Sequence, residues 1–227
     1  AGADKTIRLY DAETGTAAGE LKGHAAAVTA LAFLPDGKLA SAGGDRVVKL
    51  WDTATKAVVK ELAGHDLPVL ALAGGPEGKL LVSAAADRTA RGWDPAAGKA
   101  LWTWTAKSAV CGVAVRVGAK QVAAGAADGS LTVLDVSAGE PKELWTGSGH
   151  TAGVASVAYA PDGSLLATAG GDGALQLWTL DEAGKPSQGH RFDGQPRADK
   201  GGYSPLSAVV FSPDGRFVAP TGADAVI

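Results

Sequence analysis

Short runs of mostly apolar residues alternate with turn signals along the chain. Over one stretch the runs are Val28–Phe33, Lys38–Ala42, Val47–Trp51 and Ala57–Leu62. Pro35-Asp36-Gly37 separates the first two. Proline presets φ for a turn and glycine accepts a positive φ, so the triplet is a turn with a mechanism. It returns at Pro161–Gly163 and Pro213–Gly215, with Pro76-Glu77-Gly78 as a variant. Four short strands in a unit of about 40 residues, punctuated by turns, predict an antiparallel all-β arrangement. No apolar run is long enough to cross a bilayer as a helix.

The units repeat. Asp4, Asp45, Asp87, Asp128, Asp172 and Asp224 each follow small residues, in steps of 41, 42, 41, 44 and 52. Six residues after each of the first five stands Tyr10, Trp51, Trp93, Leu134 or Trp178, and Asp follows four of these. Gly-His pairs lie upstream at Gly23-His24, Gly64-His65 and Gly149-His150. Fixed-period self-similarity of this length marks a repeat architecture.

Gly-His, then Asp, then Trp-Asp, at this spacing and over essentially the whole chain, resembles the WD-repeat family of β-propellers. The resemblance implies about five blades' worth of four-stranded antiparallel sheets. A single blade cannot bury both faces, so blades stack and bury one another. The blade limits expected from the period are 1–22 (partial), 23–63, 64–104, 105–146, 147–187 and 188–227 (partial), within one propeller domain. The chain opens just before a third strand and ends entering one, and it has no Met even at position 1. It therefore reads as an incomplete chain from a larger, seven-bladed ring, with closure of a five-bladed ring as the alternative.

In the resembled family the His, a second-strand Ser or Thr, the Asp and the Trp form a buried hydrogen-bond network. Three units carry the full set here: His24/Ser41/Asp45/Trp51, His65/Ser83/Asp87/Trp93 and His150/Thr168/Asp172/Trp178. The chemistry fits. Trp only donates, ionised Asp only accepts, and a hydroxyl and a neutral imidazole do both. A Ser/His/Asp trio also suggests a hydrolase, but a catalytic triad does not come in one copy per repeat. The fourth unit has decayed, with Ala106 or Lys107 for His, Ala124 for Ser and Leu134 for Trp. It is expected to rely on packing and to be the softest interior blade. In the last unit Gln195 takes the His position, His190 falls on an exposed outer strand, and about seven residues are inserted near Pro196 to Pro205.

Composition narrows the function classes. The chain of 227 residues has a net charge of −3 with both signs interspersed, which argues against nucleic acid as the partner, since such binders show a basic stripe. One cysteine, Cys111, permits neither an internal disulfide nor a Cys-rich metal site, and its apolar neighbours place it in a strand. No disulfide leans to the cytoplasm, and the Ala- and Gly-rich makeup with plain loops leans bacterial. No paired carboxylates, metal-spaced His cluster or phosphate-cradling loop stands out, so neither cofactor, metal nor catalysis is expected.

The resemblance implies a rigid scaffold whose Asp-turn face meets protein or peptide partners. Side chains there commonly include the residue before each Asp, which here is Ala3, Gly44, Ala86, Ala127, Gly171 or Ala223. Interface hot spots favour Trp, Tyr and Arg, and none occupies these positions. The exception is the insert, so Arg191, Arg197, Lys200 and Tyr203 are the candidate partner-binding residues. Trp102, Trp104 and Trp145 fall on outer strands, either packing between blades or forming an aromatic edge. An alternative is a regulatory or sensing propeller module whose kinase or redox domain lies outside this chain.

Overall fold

The computed structural model describes residues 2–118, 120–194 and 203–222. Among the described residues every regular element is a strand. β1 (Thr6–Tyr10) and β2 (Ala17–Lys22) form a two-stranded sheet. Four four-stranded sheets follow. The first is β3 (Val28–Phe33), β4 (Leu39–Gly43), β5 (Val48–Asp52) and β6 (Ala57–Leu62). The second is β7 (Val69–Gly74), β8 (Leu81–Ala85), β9 (Thr89–Asp94) and β10 (Lys99–Thr105). The third is β11 (Val110–Val115), β12 (Gln121–Ala126), β13 (Ser130–Asp135) and β14 (Lys142–Ser148). The fourth is β15 (Val154–Tyr159), β16 (Leu165–Gly170), β17 (Ala174–Leu180) and β18 (Pro186–Asp193). β19 (Leu206–Phe211) and β20 (Val218–Gly222), the last described strands, form a two-stranded sheet. Among the described strands every pairing is antiparallel and between strands consecutive in sequence.

The sheets stack like blades, with β3, β7, β11, β15 and β19 side by side. The core lies in layers between sheets. Ala40, Ala42 and Leu50 of one blade meet Val69, Leu81 and Trp93 of the next. Ala84, Ala90 and Trp102 meet Val110, Val122, Ala124 and Leu134. The central strands are therefore covered on both faces, and all five residues of β4 and of β8 are buried. That explains the near-continuous small apolar runs where a one-faced sheet would alternate.

The turn after each Asp imposes one backbone shape. φ is 64° at Lys5, 69° at Arg46, 68° at Arg88, 84° at Gly129 and 78° at Gly173. Three of these five residues hold a left-handed conformation without being glycine, which costs energy that the turn must offset.

Two expectations change here. The expected blade limits after residues 104, 146 and 187 fall inside β10, β14 and β18. The reason is the outer ladder: Asp193 pairs with Ala174 and Ser148 with Ser130, so each fourth strand runs the full length of its third. β1–β2 and β19–β20 are also separate sheets, and among the described residues no ladder joins β20 to β1. The described strands therefore do not close a five-bladed ring. β1–β2 instead lays Ile7 and Leu21 against Val28, Leu39 and Trp51 of the next sheet.

Candidate functional site

The three full His/Ser-or-Thr/Asp/Trp sets are each brought together within one blade. His24 lies between β2 and β3, Ser41 on β4, Asp45 in the β4–β5 turn and Trp51 on β5. Nδ1 of His24 is 2.8 Å from Oδ2 of Asp45, and its Nε2 is 2.7 Å from Oγ of Ser41. The indole N–H of Trp51 donates to the same Oγ at 2.6 Å. The second set repeats this, with 2.8 Å from His65 to Asp87, 2.7 Å from His65 to Ser83 and 2.8 Å from Trp93 to Ser83. The third gives 2.9 Å from His150 to Asp172, 2.8 Å from His150 to Thr168 and 3.1 Å from Trp178 to Thr168. In each, the Asp also accepts the backbone N–H of the residue after the His: Ala25, Asp66 or Thr151.

Counting donors fixes the direction of every bond. An ionised Asp only accepts, so each His donates from Nδ1 and accepts at Nε2 as a neutral imidazole. The hydroxyl then donates to Nε2 and accepts from the indole. The glycine of each Gly-His pair is where that indole lies: a Cβ at residue 149 would sit 2.3 Å from the Trp178 ring.

Electrostatics agree with this assignment. Burial pushes the Asp87 carboxyl up, but hydrogen bonds from Thr89 and His65 outweigh it and hold the pKa at about 2. Burial likewise opposes Asp172, and His150 and the Thr151 N–H bring it to about 2. Asp45 is lowered in the same way by His24 and the Ala25 N–H, against burial. Burial lowers the pKa of His65, which favours the neutral ring. Ser41, Ser83 and Thr168 are wholly buried. Each hydroxyl has its proton and a lone pair engaged, so no electrophile reaches it.

The fourth blade has no such set. Ala124 and Leu134 stand where the hydroxyl and indole are elsewhere, both buried against the preceding sheet. Asp128 is exposed; its carboxylate accepts the Ser130 N–H at 3.1 Å and the Ser130 hydroxyl at 2.6 Å, and its own N–H donates to Oγ of Ser108 at 3.1 Å, outside the turn.

The candidate partner-binding residues divide. Arg191, on β18, reaches Oδ2 of Asp172 at 3.3 Å and Oδ1 of Asp193 at 3.0 Å. Tyr203 lies over the Asp172-Gly173 turn, close enough that a Cβ on Gly173 would be 2.3 Å from its own. The structure thus brings Arg191 and Tyr203 to the same turn. Arg197, Lys200 and Gln195 lie outside the described residues, as does Ala223. Ala3, Gly44, Ala86, Ala127 and Gly171 stand in the Asp turns, and His190 is exposed on β18. Cys111 is half-buried, and burial raises its thiol pKa. Among the described residues no helix is long and apolar enough to cross a membrane.

Trp102, Trp104 and Trp145 pack between blades, one of the two placements the sequence offered; the polar contacts that cross the same boundaries were not anticipated. Trp102 is buried at the interface with Leu134, while the Trp104 indole N–H donates to Glu143 at 2.9 Å. Arg116 donates to the Gly163 carbonyl and to Oε1 of Gln121, and Gln121 donates to the Ala183 carbonyl. One signal was available. Gly92 occupies the register position held by Leu50, Val133 and Leu177 in the other sheets, and the Trp102 ring fills the space it leaves.

A family model for the WD domain, G-beta repeat, matches residues 15–52, 56–94 and 141–179. Those segments contain all of β5, β9 and β17 up to Thr179, whereas β11–β13 lie between them. The chain is 38% identical over 76 residues to the small ribosomal subunit protein RACK1 of Schizosaccharomyces pombe, covering 33% of the chain and 21% of that protein. It is 30% identical over 142 residues to protein HIR1 of Cryptococcus neoformans, covering 54% and 16%. It is 34% identical over 74 residues to the COMPASS component SWD1 of Saccharomyces cerevisiae, covering 32% and 17%. The matched part thus spans about a fifth or less of these relatives. All three are eukaryotic, and the bacterial leaning of the composition finds no support in them.

Proposed function

Because this chain belongs to the WD-domain, G-beta repeat family, we infer that it is a non-catalytic scaffold that presents its loops to protein or peptide partners. The observation that carries this reading is the closure of all three hydroxyl–imidazole–carboxylate sets. Each hydroxyl is buried, bonded to both His and Trp, and repeated in phase with the blades. Groups held this way brace the blade interior and are shut off from substrate. Two relatives carry names that place them in assemblies, the ribosomal small subunit and COMPASS, which supports an interaction role.

Arg191 and Tyr203 are the recognition side chains we assign to the Asp-turn face. Tyr203 is an exposed aromatic and Arg191 is ordered by two carboxylates, the residue types that dominate interface energetics. The test uses the intact chain as bait and remeasures each prey, once purified, by calorimetry. Direct binding at about micromolar Kd or tighter, weakened at least about tenfold by Arg191→Glu or Tyr203→Ser, is the expected result. Turnover of p-nitrophenyl esters that disappears in Ser41→Ala or Ser83→Ala would overturn the non-catalytic reading.

A further inference from the structure

The third strand of each four-stranded sheet carries a polar side chain two residues before its Trp or Leu: Lys49, Arg91, Thr132 and Gln176. Three of these four reach a side chain of their own fourth strand. Lys49 donates to the Glu61 carboxylate, the Thr132 and Thr146 hydroxyls share a hydrogen bond of 3.0 Å, and Gln176 accepts from Gln188 at 3.1 Å. Arg91 has no such partner among the described residues. Its ladder neighbour is Thr103, at the place where Lys49 has Glu61. A cation balanced by an acid in one sheet thus stands without one in the next.

The second observation is the setting of that guanidinium. Arg91 shares a face of β9 with Trp93, which packs on the preceding sheet. Its Nη1 lies 3.0 Å from where a Cβ on Gly64 would be. Among the described residues Nε is buried without an acceptor, while Nη1 and Nη2, also without acceptors, are not buried. Gly64 and Thr103 are exposed, so the end of the side chain opens to solvent. The charge is therefore partly stripped of water and left unpaired, which is where a counter-charge gains most. Burial is the main reason that the His65 ring stays neutral, and the Arg91 charge adds to it. No acid of the packed elements answers that charge. Glu61 lies on the far face of its sheet, with Lys49 and Trp51, toward β1–β2. Asp87 is taken up by His65, Thr89 and the Asp66 N–H, and Asp94 accepts the Ala97 N–H in its own turn. Asp66 is exposed in its loop. Lys60 on β6 lies over Gly98, 2.9 Å from where its Cβ would be, and adds a second cation to the groove between β6 and β10.

We propose that the Arg91–Thr103 rung receives an Asp or Glu side chain from an acidic segment of a partner protein, in the place that Glu61 takes on Lys49. The proposal deepens the scaffold reading and rests on it, adding a surface on the outer rim to the Asp-turn face. The repeat itself names the ligand, since the equivalent cation one sheet earlier is bonded by a carboxylate. A carboxylate accepts from the two open Nη groups side by side, and a charge-assisted pair of this kind is short and strong. Thr103 is too short to supply an acid and leaves the room that Glu61 fills next door. Lys60 draws further acids of the same segment along the groove. One guanidinium and one ammonium on a chain of net charge −3 do not make the basic stripe that nucleic acid requires.

The experiment is a fluorescence-polarisation titration of the full chain with fluorescein-labelled hexaglutamate. Saturable binding is expected, weakening with added salt as the charges are screened. Arg91→Gln places at this position the residue type that β17 carries there, so the sheet should keep its wild-type melt, and binding should weaken at least about tenfold. Arg91→Lys restores the residue type of β5 and should recover most of the loss, to within about threefold of wild type. Thr103→Glu supplies the carboxylate from within the chain. It should leave Tm at or above wild type and weaken peptide binding at least about tenfold. Arg88→Gln removes an exposed cation from the neighbouring Asp turn and should stay within about twofold of wild type. The proposal is overturned if hexaglutamate does not saturate below about 1 mM, if Thr103→Glu binds it as wild type does, or if Arg88→Gln loses as much as Arg91→Gln. It is equally overturned if single-stranded oligothymidylate binds through Arg91 and hexaglutamate does not. A failed rung leaves capture through Arg191 and Tyr203 intact, so its failure is separable from failure of the scaffold reading.

Discussion

The sheet β7–β10 and the sheet β11–β14 stand face to face and are held in different ways. The first is braced from within by His65, Ser83, Asp87 and Trp93. The second has none of those groups, yet five of the six residues of β12 are buried, as are all five of β8. Its supports come from neighbours. Trp102 from the preceding sheet packs on Leu134, at the interface where other blades place their own indole. On the other side Arg116 and Gln121 reach carbonyls of the following sheet, and Trp145 meets Trp178 edge-on with ring centroids 5.4 Å apart. The lesson concerns the polar network: its members leave together. A half-satisfied buried network is worse than an apolar core, whereas replacing partners jointly by apolar groups is nearly neutral. Ala124 and Leu134 are such a joint replacement.

The largest test of that contrast is Trp102→Ala. Removing a buried Trp costs about 3–5 kcal/mol, and the loss should fall on the third sheet. Urea melts give the magnitude. Hydrogen exchange should show β12 and β13 opening ahead of β8 and β9, and equal protection in the variant would break the claim that Trp102 braces the neighbouring blade. Next comes Asp87→Ala, which leaves the His65 Nδ1–H without its carboxylate and should cost about 1–3 kcal/mol. Its counterpart Asp128→Ala removes an exposed carboxylate bonded at the surface to Ser130 and Ser108 and to no histidine, and should cost about 0.5 kcal/mol or less. A loss at Asp128 equal to that at Asp87 would mean the two turns are held alike.

This contrast also shows what could be read from the chain. The repeat, the four strands per unit and the polar sets rest on local signals: spacing, Pro-Asp-Gly turns and in-phase His, Asp and Trp. The decay of the fourth unit is visible in the same alignment. What replaced its network is legible only in part: packing of Trp102 between blades was one of two readings, whereas its place on Leu134 and the bonds of Arg116 and Gln121 cross sheet boundaries that no periodic position marks. Gly92 is the exception, a small residue where its repeats hold Leu50, Val133 and Leu177. The blade limits slipped for a related reason, since outer strands vary in length and only the ladder between Asp193 and Ala174 shows how far β18 runs. Arg191 was picked out by residue type alone, and its tie to Asp172 needed three dimensions.

Acid should separate the two sheets more gently. Asp87 is held at about 2 against an ordinary 3.8. With its folded pKa depressed, its stabilisation is complete above the ordinary value and is lost as pH falls through about 2. His65 acts in the same direction. Its folded pKa is below the ordinary 6.5, so the unfolded chain takes up that proton first and stability declines as pH falls below 6.5. Asp172 adds the same dependence, from 3.8 down to about 2, to the fourth four-stranded sheet. Hydrogen exchange corrected for intrinsic rate, followed from pH 6.5 downward, should show β7–β10 loosening before β11–β14, where no His takes part. The reverse order would sink the assignment of a neutral His65 inside its sheet.

The smallest effect concerns the bond between the Trp104 indole and Glu143, which crosses from the second sheet to the third at their exposed edge. Both ends are reached by solvent, so water replaces either partner at little cost, and Glu143→Ala should lose less than about 1 kcal/mol. Glu143→Gln keeps an acceptor oxygen for the indole and removes only the charge. It should therefore lie closer to wild type than the alanine variant, within about 0.5 kcal/mol. A double-mutant cycle with Trp104→Phe isolates the bond. If Trp102 and the buried layer carry the interface, the coupling energy will be small and the third sheet will keep its exchange protection in both variants. A coupling as large as the Asp87→Ala loss would move the brace from the buried layer to this edge, and the inside–outside contrast between the two sheets would have to be redrawn around Trp104.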